Sequence, residues 1–331
     1  MEQSPSAWRP GADLVTLRLR AELLAQIRAF FAARGVLEVE TPALSTAGIT
    51  DPHLASFETA YAGPGPQHGR LLYLHTSPEF AMKRLLAAGS GCIYQIARVF
   101  RDREAGRRHN PEFTLLEWYR IGFDHHRLMD EVAELVATLL AGRLALAEPE
   151  RLSYRALFQR DLGLDPHRAS AAELAACAEA RHVSIPPGMP ADDPDPWLDL
   201  LLTHCIEPGL GQGRLTFVYD YPASQAALAR LRPGDPPVGE RFELYVNGIE
   251  LANGFRELGD ASEQRRRFER ENAARWAFGL PVMPVDEHLL AALEAGLPDC
   301  AGVALGFDRL VMLATGKRSL AEVLAFPLDR A

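Results

Sequence analysis

The sequence predicts an α+β protein with a mainly antiparallel sheet flanked by helices. Three observations carry this. Strand-like runs cluster in two places, residues 93–119 and 215–255, instead of alternating regularly with helices, which counts against a doubly wound sheet. Asn247-Gly248 lies between two such runs and is a strong two-residue hairpin turn, because both turn positions tolerate positive φ. Finally, 47% of the 331 residues are hydrophobic, enough for a large core.

The elements follow in order. Residues 17–34 form an amphipathic helix with Leu19, Leu23, Leu24, Ile27, Phe30 and Phe31 on one face, and Gly35 stops it. "VLEVETP" is a short strand ended by Pro42. "LLYLHTSPEF" runs from a strand into a helix, with Ser77 as the N-cap and Pro78 at the first helical position. Residues 93–100 and 112–119 are strands, and residues 126–144 are a helix. The Ala- and Pro-rich stretch around 146–200 holds helical patches such as "SAAELAACAEA" and no recognisable chemistry. Strands return at "LTFVYDYP", "RFELYVNG" and "IELANGF", and "GFDRLVMLATG" closes the chain as an apolar helix.

The totals exclude several classes. A net charge of −9 counts against a large nucleic-acid footprint. Cys92, Cys177, Cys205 and Cys300 are widely spaced, without a CxxC pair, so zinc knuckles and dense disulfides are not expected. There is no signal-peptide pattern and no apolar run long enough to cross a bilayer. A cytoplasmic protein without a membrane partner is expected.

Against that acidic background, "FRDREAGRRHNPEFTLLEWYR" places Arg101, Arg103, Arg107, Arg108 and His109 between two strands. Arginine's planar fork donates two hydrogen bonds to one phosphate. On the second strand, Phe113, Leu115, Glu117 and Tyr119 share one face, while Thr114, Leu116 and Trp118 take the other. Guanidinium groups beside aromatic rings suit a nucleotide, with phosphate held by arginine and the base by stacking. A solvated charged loop is the competing reading.

"RFELYVNGIELANGFREL" adds carboxylates. Folding the hairpin at Asn247-Gly248 sets Val246 opposite Ile249, Tyr245 opposite Glu250 and Leu244 opposite Leu251. Glu243 and Glu250 then lie diagonally on one face, with Cα atoms roughly 7–8 Å apart. Such a pair repels unless something positive lies between; Mg²⁺, which takes carboxylate and phosphate oxygens, would fit. Separate pairing with arginine or water is the alternative. Strict alternation puts Glu257 on the opposite face from Glu250, and a bulge at Ala252–Gly254 would reset the phase.

In "GVALGFDRLVML", Gly302 and Gly306 allow close backbone approach, and Asp308-Arg309 opens a helix whose N-terminus favours anions. Two other features carry no function. "GLGQGR" lacks the strand–loop–helix context of a phosphate loop. His125-His126 lacks metal-ligand partners at suitable spacing and belongs to a helix cap region.

Taken together, the helix with "GVLEVETP", "FRDREAGRRHNPEFTLLEWY" and "ALGFDRL" resemble motifs one, two and three of the class II aminoacyl-tRNA synthetases. "TSPEF", "RHNPEFTLLEWY", "FELYVNGIELANGFREL" and "GVALGFDRLVML" resemble the lysyl branch, from about residue 15 to the C-terminus. That branch carries an anticodon-binding domain before motif one, and no room remains for it here. The pattern is therefore similar to the branch's truncated paralogues. This implies ATP-dependent activation of (R)-β-lysine and its attachment to a lysine of elongation factor P, with ATP as co-substrate, Mg²⁺ as the ion, no stable nucleic-acid partner and a homodimer through motif one. It also implies a tail over residues 1–14 and one catalytic domain over 15–331, with a helical insertion around 146–200.

The resemblance implies roles for matching residues. Arg101 and Arg309 would be catalytic. ATP would be bound by Arg101, Asp102, Arg103, His109, Asn110, Phe113, Glu250, Leu251, Gly306 and Arg309. Glu243 and Glu250 would hold Mg²⁺. Ser77, Pro78, Glu79, Tyr119, Asn253, Glu257 and Ala304 would line the amino-acid pocket, whose acidity suits a substrate with two ammonium groups. Arginines from distant parts of the chain and the glutamate-held ion would converge on one ATP. Two departures stand out. Arg103, followed by Glu104, occupies the usual glutamate position of motif two, which bears on adenine recognition. Ala304 replaces a glycine, and its methyl group could supply roughly 1–3 kcal/mol of discrimination between β-lysine and α-lysine. Charging of tRNA, or a catalytically silent paralogue acting by binding, are the alternatives.

Overall fold

Asp13 starts the first helix by accepting the Thr16 N–H at 2.7 Å, an N-cap bond. From there α1 (Leu14–Ala32) buries Leu23, Ile27, Phe30 and Phe31, while Leu19 and Leu24 are only half-buried. The computed structural model describes residues 8–65 and 68–331. Of the expected tail, residues 1–7 therefore lie outside the described residues. Ala12 is buried, and its N–H donates to the Leu324 carbonyl.

The chain divides into two compact units. One comprises the residues through Gly122 together with Gly259–Cys300 and Ala304–Ala331; the other comprises Phe123–Leu258 with Ala301–Val303.

In the first unit, α1 is followed by β1 (Leu37–Glu38), β2 (Leu44–Ser45), β3 (Glu58–Ala60), β4 (Leu71–Leu74), α2 (Glu79–Ala87), β5 (Ile93–Phe100) and β6 (Glu112–Ile121). β1 pairs parallel with β5, and β5 with β6 forms the expected antiparallel hairpin, in unbroken register from Ile93↔Tyr119 to Phe100↔Glu112. β2, β4 and β3 form a small separate antiparallel sheet. The start of α2 differs from expectation. Pro78 is its N-cap, and Ser77 lies one residue earlier, its hydroxyl accepting the Glu79 N–H at 3.0 Å. Proline can sit there because it has no N–H to leave unsatisfied.

The second unit contains α3 (His125–Leu140), β7 (Ala147–Ser153), α4 (Tyr154–Leu162), α5 (Ala171–Ala180), α6 (Asp195–Leu201), β8 (Arg214–Pro222), β9 (Leu231–Arg232), β10 (Val238–Val246) and β11 (Ile249–Arg256). Its strands run in the order β11-β10-β8-β7, with β9 on β10. Only β7–β8 is parallel. The stretch around 146–200 thus holds a strand besides its helices. Ser170 and Glu173 form a capping box on α5. Tyr154, Phe158, Trp197, Leu201, Val218 and Tyr221 form the buried centre of this unit.

The remaining elements are α7 (Ala261–Ala277), α8 (Glu287–Gly296), β12 (Cys300–Gly306), whose middle residues count with the second unit, and α9 (Phe307–Thr315). α9 begins at Gly306 and ends at Gly316, a left-handed C-cap with φ 68°. In the first unit, Phe31 stacks on Tyr94 with ring centroids 4.5 Å apart and meets Trp118 edge-on. Beside them, the buried Asp308 carboxylate pairs with Arg20 of α1 and accepts the Thr114 N–H of β6 at 2.7 Å. Removing it leaves a half-buried guanidinium and a buried N–H without their acceptor. Asp308→Ala should therefore lower unfolding free energy by about 3–5 kcal/mol, read by urea denaturation.

Candidate active site

The arginine loop and its strands lie in the first unit. Arg101 extends over Phe113, its guanidinium carbon 5.1 Å from the ring centroid, and donates from Nε to the Thr76 carbonyl at 3.4 Å. Glu104, the acid that follows Arg103, lies 3.9 Å from Arg101. Arg103 takes a left-handed backbone conformation (φ 66°) and its side chain is largely exposed. Asp102 supports this turn by accepting the Arg103 N–H at 2.9 Å, and the Asp102 N–H binds the Ala55 carbonyl.

His109 and Arg309 meet although they are 200 residues apart: a guanidinium nitrogen lies 2.9 Å from His109 Nε2. Burial, then Arg309, holds the His109 imidazole below its usual pKa, so it serves as a neutral acceptor. Arg309 follows Gly306 by three residues, on the first turn of α9. Asn110 is spent on the backbone, donating to the Glu112 carbonyl at 2.6 Å and accepting the Leu328 N–H. Ala304 packs its methyl group against the cluster of Ala97, Val99, Leu115 and Phe113.

On the same side of β6, Glu117 is buried and accepts from Tyr119 at 2.7 Å and Ser77 at 3.1 Å. Burial, then the charge of Glu79, pushes its pKa up to about 8. Glu79 itself accepts from the buried Lys83 at 2.6 Å. The expected Ser77, Glu79 and Tyr119 are therefore brought together. Sequence reasoning missed two members: Glu117, placed on this face without a role, and Lys83. The i, i+4 spacing of Glu79 and Lys83 was the available signal.

The glutamates lie in the second unit. Tyr245↔Glu250 and Val246↔Ile249 pair as expected, but Leu244 faces Ala252, not Leu251. Leu251 is the extra residue of a bulge, and β11 then runs regularly through Gly254. The bulge was thus expected one residue too late. Gly254 is closely packed: a Cβ there would come within 2.7 Å of Phe242 and Val303 and 2.8 Å of the Gly302 carbonyl, so only glycine fits. The bulge still resets the phase, carrying Asn253 onto the face of Glu243 and Glu250 and continuing the alternation toward Glu257, which is buried.

Glu243 is enclosed. One carboxylate oxygen pairs with Arg241; the other accepts from Tyr221 at 2.7 Å and Tyr245 at 2.5 Å. Arg241 also donates to Asn253 at 3.2 Å and lies over the Tyr221 ring. Burial raises the Glu243 pKa, Arg241 opposes this, and the nearby Glu250 adds to it. Arg241, Tyr221 and Tyr245 were not singled out from sequence, although alternation puts Arg241 and Tyr245 two residues either side of Glu243.

Among the described residues, no three or more His, Cys, Asp or Glu side chains form a metal-holding group. Two carboxylates this near each other favour a cation beside them, but the protein donors leave Glu243 little free acceptor capacity. The residues fit Mg²⁺ held by one or two carboxylates and completed by phosphate oxygens, and not an all-protein cage.

A family model for class II tRNA synthetases of the D, K and N type matches residues 12–330. The chain belongs to that family. Curated relatives are similar along the whole length. The elongation factor P–(R)-β-lysine ligases of Vibrio vulnificus strain YJ016 and Vibrio cholerae are each 55% identical, over 98% of this chain and 99% of theirs. That of Klebsiella pneumoniae subsp. pneumoniae is 54% identical with the same coverage. The α+β fold is that of the family, and no helix among the described residues is long and apolar enough to cross a membrane.

Glu117 also sets a pH dependence. Its folded pKa of about 8 lies above the ordinary 4.5, so the folded state holds the proton more tightly. The stability this group contributes is full below 4.5 and is lost as pH rises toward about 8. Glu271, raised to about 7 by burial, acts in the same direction. Denaturation between pH 5 and 8 should show stability falling for the parent and a shallower fall for Glu117→Gln.

Proposed function

We propose that this chain is a ligase that activates (R)-β-lysine with ATP as an aminoacyl adenylate and transfers it to a lysine side chain of elongation factor P. The observation that carries this is the meeting of His109 and Arg309 beside the Arg101–Phe113 pair, in a chain more than half identical to ligases of that name over their full length. On this reading it is a cytoplasmic homodimer that works as one catalytic domain, without a stable nucleic-acid partner.

Activation begins with the substrate carboxylate, already anionic, so no side chain need remove a proton. One of its oxygens bonds to the α-phosphorus while the bond from that phosphorus to the bridging oxygen breaks and pyrophosphate leaves. Arg101 neutralises charge on the α-phosphate, and Phe113 offers its ring to adenine. Arg309, with Gly306 allowing the backbone close, holds the far end of the triphosphate, and His109 keeps its guanidinium aimed. Asp102, Arg103 and Asn110 shape the loop around the nucleotide, Asp102 and Asn110 through backbone bonds. Glu243 and Glu250 would hold Mg²⁺, which supplies charge neutralisation on the phosphates when bound; Leu251 sets Glu250 by its bulge. In the second half-reaction the acceptor lysine's neutral amine attacks the adenylate carbonyl, AMP departs with the bonding electrons, and the nitrogen loses a proton to give the amide.

Ser77, Pro78, Glu79, Tyr119, Asn253, Glu257 and Ala304, with Glu117 added, line the amino-acid site on this reading. Its carboxylates suit two ammonium groups, and the Ala304 methyl group disfavours a side chain that needs the space of a glycine.

Two experiments test this. Arg101→Ala should reduce β-lysine-dependent ATP–pyrophosphate exchange by at least about a thousandfold, with an unchanged circular dichroism spectrum; exchange at the parent rate removes Arg101 from the reaction. With labelled (R)-β-lysine and ATP, label should appear on elongation factor P and not on tRNA. Label on tRNA alone would make the chain a tRNA-charging enzyme.

A further inference from the structure

The end of β8 breaks its own alternation. Val218 lies opposite Glu243 and Tyr219 opposite Phe242, so regular pleating would turn Tyr221 to the Tyr219 side, away from Glu243. Tyr221 instead lies opposite Gly239, on the Glu243 side, and donates to Glu243 at 2.7 Å. Between Gly239 and Phe242, β10 has two residues where β8 has only Asp220. Three steps along β10, from Gly239 to Phe242, change face as ordinary alternation requires, whereas two steps along β8, from Tyr219 to Tyr221, should not. The reset therefore belongs to Asp220.

Asp220 has φ +61°, the left-handed region, inside a strand. Aspartate is among the few non-glycine residues that tolerate it. Its side chain is held on the far face from Tyr221: Arg232 donates to it at 2.5 Å, and the buried His125 lies 3.5 Å away. His126, tilted against His125 with ring centroids 4.1 Å apart, meets the Tyr219 ring edge-on.

We infer that Asp220 is a positioning residue: by holding the left-handed conformation it turns Tyr221 over to join Arg241 and Tyr245 around Glu243. Its functional consequence rests on the proposed role of Glu243 in binding the Mg²⁺ that accompanies ATP. What matters is Asp220's backbone, with the side-chain contacts to Arg232 and His125 as anchors. Glycine and asparagine, which accept positive φ, should therefore substitute far better than valine or alanine.

The test uses the full chain with 3-fluorotyrosine at position 221, read by ¹⁹F NMR. Manganese binding in the presence of ATP is measured by electron paramagnetic resonance, and ATP–pyrophosphate exchange is followed in parallel. Asp220→Gly and Asp220→Asn should keep the ¹⁹F signal and stay near the parent in Mn²⁺ affinity. Asp220→Val should move the signal and weaken Mn²⁺ binding about tenfold, the scale of one lost hydrogen bond to a charged group. Tyr221→Phe should match that loss, and Asp220→Val with Tyr221→Phe should lose no more than either alone. Should the valine variant not fold, Asp220→Ala replaces it. An unmoved signal in the valine or alanine variant overturns the inference, as does a glycine variant that behaves like valine. A moved signal with unchanged Mn²⁺ affinity keeps the positioning role and instead removes Glu243 from ion binding.

Discussion

One buried carboxylate organises the first unit. Asp308 sits at the start of α9, where the helix dipole favours a negative charge. It takes Arg20 from α1 and the Thr114 N–H from β6. Arg20 and Arg98 both donate to the Thr114 hydroxyl, at 2.9 and 3.0 Å. Three segments remote in sequence are thus fixed through one anion. The residues next to these contacts are half-buried and carry candidate site chemistry: Arg309 follows Asp308, and Phe113 precedes Thr114. A buried ion pair is a weak source of net stability. Its value here is registry, since it fixes where the neighbouring guanidinium and ring emerge.

The second unit achieves aim by another route, irregular strands. β10 falls out of step with each neighbour once, with β11 at Leu251 and with β8 at Asp220. The two departures collect Tyr221, Arg241, Glu243, Tyr245, Glu250 and Asn253 on one face. A uniformly pleated sheet would have sent Tyr221 and Asn253 to the other side. Bulges re-aim side chains in this way near functional sites.

These features explain what was legible in the sequence. The β5–β6 hairpin and the Asn247-Gly248 turn were, because period-two alternation and turn chemistry are local. The placing of Arg101 beside Phe113 was, because a guanidinium cluster stands out in an acidic chain and period two fixes the face of the next strand. The exact bulge was not. "ELANG" offers three small or flexible residues, and nothing local in them marks Leu251 as the extra one. Ser77's place one residue before the cap was hidden by the proline that follows it. Lys83, Glu117, Arg241 and Tyr221 looked like ordinary helix and strand residues. Their significance comes from burial, which no single-sequence pattern reports for charged groups that are usually exposed.

Burial also gives the candidate amino-acid site its character. A carboxylate in water holds its charge whatever approaches; Glu117, desolvated and repelled by Glu79, is at neutral pH largely the protonated acid. Tyr119 and Ser77 point their hydroxyls at it, so its oxygens remain acceptors in either state. An ammonium group entering this site would reverse the balance, since a full positive charge in a low-dielectric setting favours the carboxylate and expels its proton. Lys83, buried beside Glu79, already supplies one fixed ammonium, and its charge also draws the Glu117 pKa down without offsetting burial and Glu79. On the proposed reading, two acids against one fixed ammonium favour a cationic substrate. A neutral amino acid of the same shape could not draw the proton from Glu117, and would forgo the attraction that the ammonium gains. Selectivity of this kind comes from the cost of burying a charge without its partner, not from the number of hydrogen bonds, and for that reason it depends on Glu117 being dry.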